Sequence, residues 1–317
     1  MDENSPMTVF GKQLAQRFGS ALRWDEVLAP WTWMKVGGPA EFLVEVEHIE
    51  DLAAAHAICR GCRAPFTLLG DGSNVVIDDA GLAGLVVVNR VTHLNWDEKR
   101  RQVTAGAGFS LDRLVEAVSF RGWGDLTFAA GIPGTVGGAL AGGAGAYGRL
   151  LAEMACRARV LSPDGTMDTL PVNTLGVGYR DSDILRCGQI VLEVTFGGFQ
   201  ADTAAGLMNR IAAIRADRAG KHPPSDLPCA GSYFKNLPPP SPGASRIAAG
   251  LLLDRCGAKS LRRGGAAVFH RHANIIVNTG GATAADILAL ADQMARLVRC
   301  RHGVQLEPEV RYLHNRS

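Results

Sequence analysis

The stretch Phe128-Ala-Ala-Gly-Ile-Pro-Gly-Thr-Val-Gly-Gly-Ala-Leu-Ala-Gly-Gly-Ala-Gly-Ala-Tyr-Gly148 constrains this chain more than any other. Glycine inside a helix or strand costs roughly 0.5–1 kcal/mol relative to alanine, because it loses more backbone freedom on folding. So much glycine persists only where the backbone turns sharply or comes very close to something else. Gly131, Ile132, Pro133 and Gly134 read as a tight turn after a short apolar run. Thr135 then caps a Gly/Ala-rich helix starting near Val136. Two readings stand. Open amides at the helix start, those of Gly137 and Gly138 among them, suit an anion such as a pyrophosphate. Alternatively, the small residues let the helix pack closely on a neighbour.

A second glycine loop lies upstream, in Phe66-Thr-Leu-Leu-Gly-Asp-Gly-Ser-Asn-Val-Val-Ile77. It reads as strand, turn, strand. It is not a P-loop, which needs lysine and serine or threonine after its last glycine, then a helix. The local residues favour a hairpin turn. The alternative is that Gly70, Gly72, Ser73 and Asn74 present amides and a hydroxyl to a phosphate. The Rossmann fingerprint of nicotinamide enzymes is missing: no G-x-G-x-x-G follows a strand and opens a helix with an acidic residue at the right distance. Two glycine loops meeting on one pyrophosphate are another way to hold a dinucleotide.

Taken in order, the chain predicts a short helix around Gly11–Arg17, then two short strands about Gly37-Gly38-Pro39, since Phe42, Val44 and Val46 alternate. A helix near Glu50–Arg60 carries Leu52, Ala55 and Cys59 on one face, with Gly61 as its stop. Leu85–Val88 and Gln102–Ala107 read as strands. Ser110 opens a helix with Leu111, Leu114, Val115 and Val118 inward, ended by Gly122. Residues 157–196 read as strands turning at Pro163-Asp-Gly165, with Gly178-Tyr-Arg-Asp-Ser182 among them. An amphipathic helix at about Thr203–Arg218 leads into the last domain. There Ala248–Cys256 is a short helix, Ala273–Asn278 a strand, and Thr283-Ala-Ala-Asp286 a capping box for a helix stopped by Gly303. Leu306–Arg311 closes the chain as a strand.

A length of 317 residues predicts two or three domains. Lysine plus arginine number 33 and aspartate plus glutamate 31, a net charge of +2, which lacks the concentrated basic face that nucleic-acid binding requires. No apolar run has the length of a membrane span, and no secretory signal opens the chain, so the expectation is a cytoplasmic protein without membrane insertion. Seven scattered cysteines suit a reducing compartment. Cys59 and Cys62 have C-x-x-C spacing but no second pair to complete a tetrahedral metal site, so they read as helix residues. His270 and His272 point opposite ways on an extended segment. No metal is expected.

Seven motifs then fall in the order and spacing of one family: Lys35-Val-Gly-Gly-Pro-Ala, Leu69-Gly-Asp-Gly-Ser-Asn, Ala130-Gly-Ile-Pro-Gly-Thr-Val-Gly-Gly-Ala, Ala144-Gly-Ala-Tyr-Gly, Tyr179-Arg-Asp-Ser, Ala230-Gly-Ser-Tyr-Phe-Lys-Asn and Leu306-Glu-Pro-Glu-Val-Arg. In these the chain resembles the UDP-N-acetylenolpyruvoylglucosamine reductases, flavoenzymes of peptidoglycan precursor synthesis, from Thr32 to Arg311. The resemblance implies an α+β chain with the FAD-binding fold of the vanillyl-alcohol oxidase type. Its expected divisions are 1–86 and 87–218 for two FAD-binding subdomains and 219–317 for the substrate domain, the final strand returning to the active site. It implies non-covalent FAD at Gly70, Gly72, Ser73, Asn74, Gly131, Ile132, Pro133, Gly134, Thr135, Gly137 and Gly138, NADPH as reductant and a sugar nucleotide as substrate. Gly143 stands where asparagine is frequent in the family, and Leu237 where proline often follows Lys-Asn. The chain is too short after Ser182 for the extra tyrosine-bearing substrate loop of some members.

An enol ether is electron-rich and resists hydride, so its carboxylate must be polarised, and a proton donor must reach the α-carbon. The resemblance gives the proton to Ser232. It pairs Arg180 with Glu309 on the carboxylate, a task that suits the planar, permanently charged guanidinium. Glu309 helps only when protonated or bonded to Arg180, since a bare carboxylate repels the substrate. Glu307 and Glu309 alternate on an extended segment, so only one faces a site, and the family pattern selects Glu309. Lys221 and Asn236 match substrate-holding positions. Read locally, Arg180 is equally a surface arginine, Ser232 a turn serine beside Gly231, and Lys221 a solvated loop lysine. The Lys259–Arg263 cluster is either a solvated loop or a phosphate contact. Two other functions remain: an FAD-dependent oxidase of the same fold, or a catalytically idle flavin or sugar-nucleotide binding protein.

Overall fold

The computed structural model describes residues 9–315. They fall into two compact units. One comprises the described residues up to Glu26, Ala40–Asp71 and Ala83–Arg215; the other comprises Val27–Pro39, Gly72–Leu82 and the described residues from Ala216 onward. Position 86/87 lies inside the strand Leu82–Asn89, and position 218/219 inside the helix Ala204–Lys221.

The first unit holds two sheets. The smaller has the order Arg23–Val27, Pro39–Val46, Leu82–Asn89, Phe66–Leu69. Phe42, Val44 and Val46 are buried, as their alternation requires, and meet the helix Ile49–Cys62 through Leu52, Ala55 and Cys59. Gly61 does not stop that helix. The left-handed turn falls on Arg63 (φ 53°), whose amide reaches back to the carbonyls of Arg60 and Cys59. The segment before Pro39 is not a strand either: a 3-10 turn at Ala29–Trp31 precedes irregular chain. A polar cleft of about 640 Å³ lies against this sheet, lined by Glu45, Glu47, His48, Arg90, Thr92 and His93; it contains none of the expected site residues.

The larger sheet is antiparallel throughout, in the order Met167–Pro171, Ala155–Leu161, Ile190–Phe196, Gln102–Gly106, Leu94–Asp97. The helix Leu111–Phe120 starts at Ser110, whose hydroxyl accepts from Arg113 N. It buries Leu111, Leu114, Val115 and Val118 completely, each worth about 1.5–3 kcal/mol at most. The glycine-rich stretch joins the same apolar core through Phe128, Ala129, Val136 and Leu140.

In the second unit a four-stranded antiparallel sheet runs Cys229–Ser232, Ile275–Asn278, Ala266–Val268, Arg262–Arg263. The helices Ala249–Arg255 and Ala284–His302 share its core, with Leu253, Ile287, Leu290 and Met294 buried. The long helix opens with the expected box, Thr283 Oγ1 accepting from Asp286 N at 3.0 Å, and ends on Gly303 (φ 67°). Asp79 adds a second cap, accepting from Ala284 N at 2.8 Å and Ala285 N at 3.0 Å.

The hairpin expected over residues 66–77 is absent. Phe66–Leu69 pairs in parallel with Leu82–Asn89, whereas Val75–Ile77 pairs in parallel with Arg311–Leu313. The loop between them is used elsewhere: Gly72 packs on the Trp31 carbonyl with no room for a side chain, and its own carbonyl accepts from Trp33 N at 3.0 Å. The closing strand also starts later than its sequence suggests. Pro308 has no amide to donate, and only Arg311–Leu313 is regular strand. Among the described residues, no helix is long and apolar enough to cross a membrane.

Candidate active site

The glycine-rich stretch forms its turn and then a short helix, Val136–Ala141, capped by Thr135. Its amides are not open as an anion site would need. Val136 N donates to Phe109 O at 2.8 Å, Gly137 N to Ala107 O at 2.9 Å and Gly138 N to Thr135 Oγ1 at 3.3 Å. Gly131 N donates to Asp112 Oδ1 at 2.6 Å, and Ile132 N to Ala129 O at 3.1 Å. Close packing explains Gly137, whose Cβ would stand 2.6 Å from Ala107 Cβ.

The two glycine loops do meet: a Cβ on Gly70 would stand 2.6 Å from Thr135 Oγ1. Among the described residues no backbone acceptor takes the amides of Gly134 and Thr135 in one loop, or of Gly72 and Ser73 in the other. Left-handed glycines turn both loops, Gly72 at φ 63° and Gly134 at φ 109°. Backbone amides suit the oxygens of a diphosphate, so within the first unit the amides of Gly134 and Thr135 fit the pyrophosphate of FAD, different ones from those the helix start suggested. Beside Gly70, burial raises the Asp71 carboxyl above its ordinary pKa, with Arg90, 3.3 Å away, pulling the other way.

Arg180 lies on a bend held to the end of the same stretch. Ser182 Oγ donates to Ala141 O at 2.6 Å, and Arg180 N donates to Gly143 O at 3.3 Å. Arg180 itself is left-handed, at φ 55°, unusual for a residue with a side chain. Its Nε is buried, and its guanidinium carbon lies 5.6 Å from the centroid of the Tyr179 ring. It is therefore half-buried, not a surface arginine trailing a strand.

Ser232 and Glu309 are brought together within the second unit. Ser232 ends the strand Cys229–Ser232, just after the left-handed Gly231. The next residue, Tyr233, accepts from Glu309 N at 2.7 Å, and Lys235 N donates to Glu307 O at 2.9 Å. The two segments thus pair about Phe234 and Pro308. Glu307 points to solvent, 3.5 Å from Lys235, whereas Glu309 is partly buried. Asn74 reaches this segment through its side chain: its Nδ2 donates to Glu309 O at 3.1 Å. Burial pushes the Tyr233 phenol up to about 12, so it stays neutral beside Ser232.

Sequence reasoning missed Asn274. It is buried, its carbonyl accepts from Tyr233 N at 2.7 Å, and its side chain bonds both backbone groups of Phe234. The available signal was one polar residue opening the apolar run Ala273-Asn-Ile-Ile-Val277.

Lys221 ends the helix Ala204–Lys221 with its ammonium 2.6 Å from Asp217. Asn236 turns its Oδ1 to Ala249 N, 3.2 Å away, at the start of a helix. Lys259 pairs with Asp254 at 2.8 Å, while Arg262 and Arg263 form a short exposed strand. His222 stacks on His272 with ring centroids 5.9 Å apart. Burial, then Arg218, His272 and Lys221, lowers His222 to about 4, against a smaller opposing effect of Asp217. Among the described residues no group of three or more histidine, cysteine or acidic side chains could hold a metal ion.

The sequence profile of the UDP-N-acetylenolpyruvoylglucosamine reductase C-terminal domain matches residues 222–313, and that of an FAD binding domain matches residues 40–170. The UDP-N-acetylenolpyruvoylglucosamine reductase of Trichormus variabilis is 38% identical over 291 residues, covering 90% of this chain and 85% of that one. The enzyme of the same name from Anoxybacillus flavithermus is 34% identical over 304 residues, covering 94% and 96%. The crystal structure of UDP-N-acetylenolpyruvylglucosamine reductase from Thermus caldophilus is similar with a TM-score of 0.74 at 32% identity, covering 90% of this chain and 97% of that one. With its FAD-binding region and its C-terminal domain both matched, and relatives aligned over nearly all of both chains, the chain belongs to the UDP-N-acetylenolpyruvoylglucosamine reductase family.

Proposed function

We propose that this protein reduces the enolpyruvyl ether of UDP-N-acetylglucosamine to UDP-N-acetylmuramate, with FAD as resident cofactor and NADPH as reductant, in peptidoglycan precursor synthesis. The observation that supports this most is the 2.7 Å bond from Glu309 N to Tyr233 O, which sets an acidic residue beside the strand end that carries Ser232. The chemistry FAD supplies when bound is hydride transfer, from NADPH and then to the β-carbon of the enolpyruvyl group.

Gly134 and Thr135 offer their amides to the cofactor's diphosphate; Gly72 and Ser73, the latter with its hydroxyl, are the other proposed cofactor contacts. Arg180 fits the substrate carboxylate with its planar fork and favours the negative charge that develops as hydride adds. Its buried Nε marks a site with restricted water, where such an interaction is strongest. Glu309 is the second group proposed to polarise the substrate carboxylate, a role it can fill only when protonated or hydrogen-bonded. Ser232 delivers a proton to the α-carbon, completing the saturated ether. Residues 219–317 carry the sugar nucleotide, with Lys221 and Asn236 as its holders. Lys221 must leave Asp217 to reach a diphosphate, and an exposed pair of this spacing is worth only about 0.3–0.5 kcal/mol. The proposal includes a cytoplasmic location, with which two water-soluble nucleotide substrates are compatible.

The test is the absorbance spectrum of the purified protein under anaerobic conditions. The expected result is a flavin spectrum that bleaches with NADPH and returns only with the enolpyruvyl sugar nucleotide. A protein that takes up no FAD sinks the proposal. Flavin that reoxidises rapidly in oxygen but ignores the sugar nucleotide marks an oxidase of the same fold.

A further inference from the structure

Ser232 sits where its sheet stops. The strand Cys229–Ser232 pairs with Ile275–Asn278, Ser232 opposite Ile275, with an irregularity between Cys229 and Ser232. Beyond Ser232 the chain needs another partner, because Tyr233 and Phe234 are both buried and their backbone groups must be satisfied. Asn274 supplies it. Its carbonyl accepts from Tyr233 N at 2.7 Å, its Oδ1 accepts from Phe234 N at 3.0 Å, and its Nδ2 donates to Phe234 O at 2.8 Å. The side-chain amide thus stands in for one peptide group and extends the ladder past the end of the strand. On the other side, Tyr233 O receives the amide of Glu309 at 2.7 Å. The two residues that follow the serine are therefore held by Asn274 on one edge and carry Glu309 on the other. Asn274 in turn is fixed by its own amide, which donates to His272 Nδ1 at 3.3 Å.

We infer that Asn274 is a positioning residue for substrate reduction: it sets the Ser232 hydroxyl and the Glu309 carboxyl in register with each other. The inference rests on the roles proposed above for those two residues. Asparagine suits the task because one side chain offers both an acceptor and a donor. Aspartate keeps the shape and the acceptor but presents a second oxygen to Phe234 O. Alanine leaves both Phe234 groups unmet.

The test separates the two half-reactions of the FAD-loaded full-length protein by anaerobic stopped flow, in wild type, Asn274→Asp and Asn274→Ala. Wild type bleaching with NADPH and recovering with the enolpyruvyl sugar nucleotide establishes the reaction itself; its failure sinks the functional proposal whatever the variants do. With the reaction in place, flavin reduction by NADPH is expected at the wild-type rate in both variants. Flavin reoxidation by the sugar nucleotide is expected to fall by about 10²-fold, the usual consequence of misplacing a reacting group by about 1 Å. The fall should come with a larger solvent deuterium isotope effect, since proton delivery becomes slower than hydride transfer. Reoxidation at the wild-type rate in Asn274→Asp overturns the inference. So does parallel slowing of both half-reactions with an unchanged isotope effect, which is the mark of general loosening. Should Asn274→Ala fail to fold, the near-isosteric Asn274→Asp carries the test alone; if it too fails to fold, Asn274 serves stability alone and the inference is overturned.

Discussion

Replacing Gly143 by alanine tests how Arg180 is held. Gly143 has φ 56°, and an ideal Cβ there falls against Gly178 O, 2.9 Å from Arg180 N and 3.1 Å from Asp181 N. These are backbone atoms that cannot swing aside. Nonbonded heavy atoms sit comfortably at about 3.5 Å or more, so the Arg180 backbone must withdraw by at least about 0.6 Å, and the Gly178 carbonyl, nearer still, by more. The left-handed conformation itself costs alanine about 1–2 kcal/mol, and overpacking adds about 1–3 kcal/mol. A total on the order of 2–5 kcal/mol lowers Tm by roughly 5–15 °C for a unit of this size. The guanidinium moves with its loop, and a displacement approaching 1 Å costs up to about 10²-fold in rate. The assay is kcat and KM for the sugar nucleotide beside a thermal melt with FAD bound. The expected outcome is a fall in kcat beyond what the fraction folded explains, with flavin reduction by NADPH kept. A variant with wild-type Tm and kcat would show that the 178–181 bend has slack and that the close approach is incidental. An asparagine at this position has the same Cβ and meets the same atoms.

Ser232→Ala is expected to keep FAD and NADPH oxidation chemistry but to slow substrate reduction by about 10²–10⁴-fold, the range for a lost general acid; stopped-flow reoxidation measures it, and a wild-type rate excludes Ser232 as proton donor. Asp79→Ala removes two amide acceptors from the start of the helix Ala284–His302; a loss of about 1 kcal/mol is expected by chemical denaturation, and no change would mean that Thr283 alone suffices as cap. His222 titrates near 4 when folded against 6.5 when free. Between these values the unfolded chain binds more protons, so the stability from neutral His222 is complete above 6.5 and is lost as pH falls toward 4. Melting curves from pH 7 to 4 should show a shallower decline in His222→Gln than in wild type, and superimposable declines would discard the assignment.

Legibility in the sequence followed the range of the forces involved. The helix Leu111–Phe120, with its serine cap and four buried apolar residues, was readable because cap and period lie within ten residues. The same holds for the Thr283–Asp286 box and its Gly303 stop. Failures occurred where local residues answer to distant ones. Gly61 looked like a helix stop, but the left-handed cap went to Arg63. Residues 66–77 looked like a hairpin, yet their two strands pair not with each other but with separate later segments, one near residue 85 and the other near 312. Hairpin chemistry is a local preference, and parallel pairing to remote strands outweighed it. Lys221, read as a loop residue, ends a helix instead.

The sequence by itself determined the family, and it named Arg180, Ser232 and Glu309 as candidates, because motifs of fixed spacing need only the residues and their order. Only the tertiary structure decided which groups are still available for binding. At the start of Val136–Ala141 the amides go to Ala107, Phe109 and Thr135, as glycine's missing Cβ lets the backbone pack there. The Asn74 side chain reaches Glu309 across 235 residues of chain. Asn274 holds the residues after Ser232 from 40 residues away. Every buried donor and acceptor must find a partner, and with no side-chain period or local spacing to mark such pairings, the folded chain alone sets them.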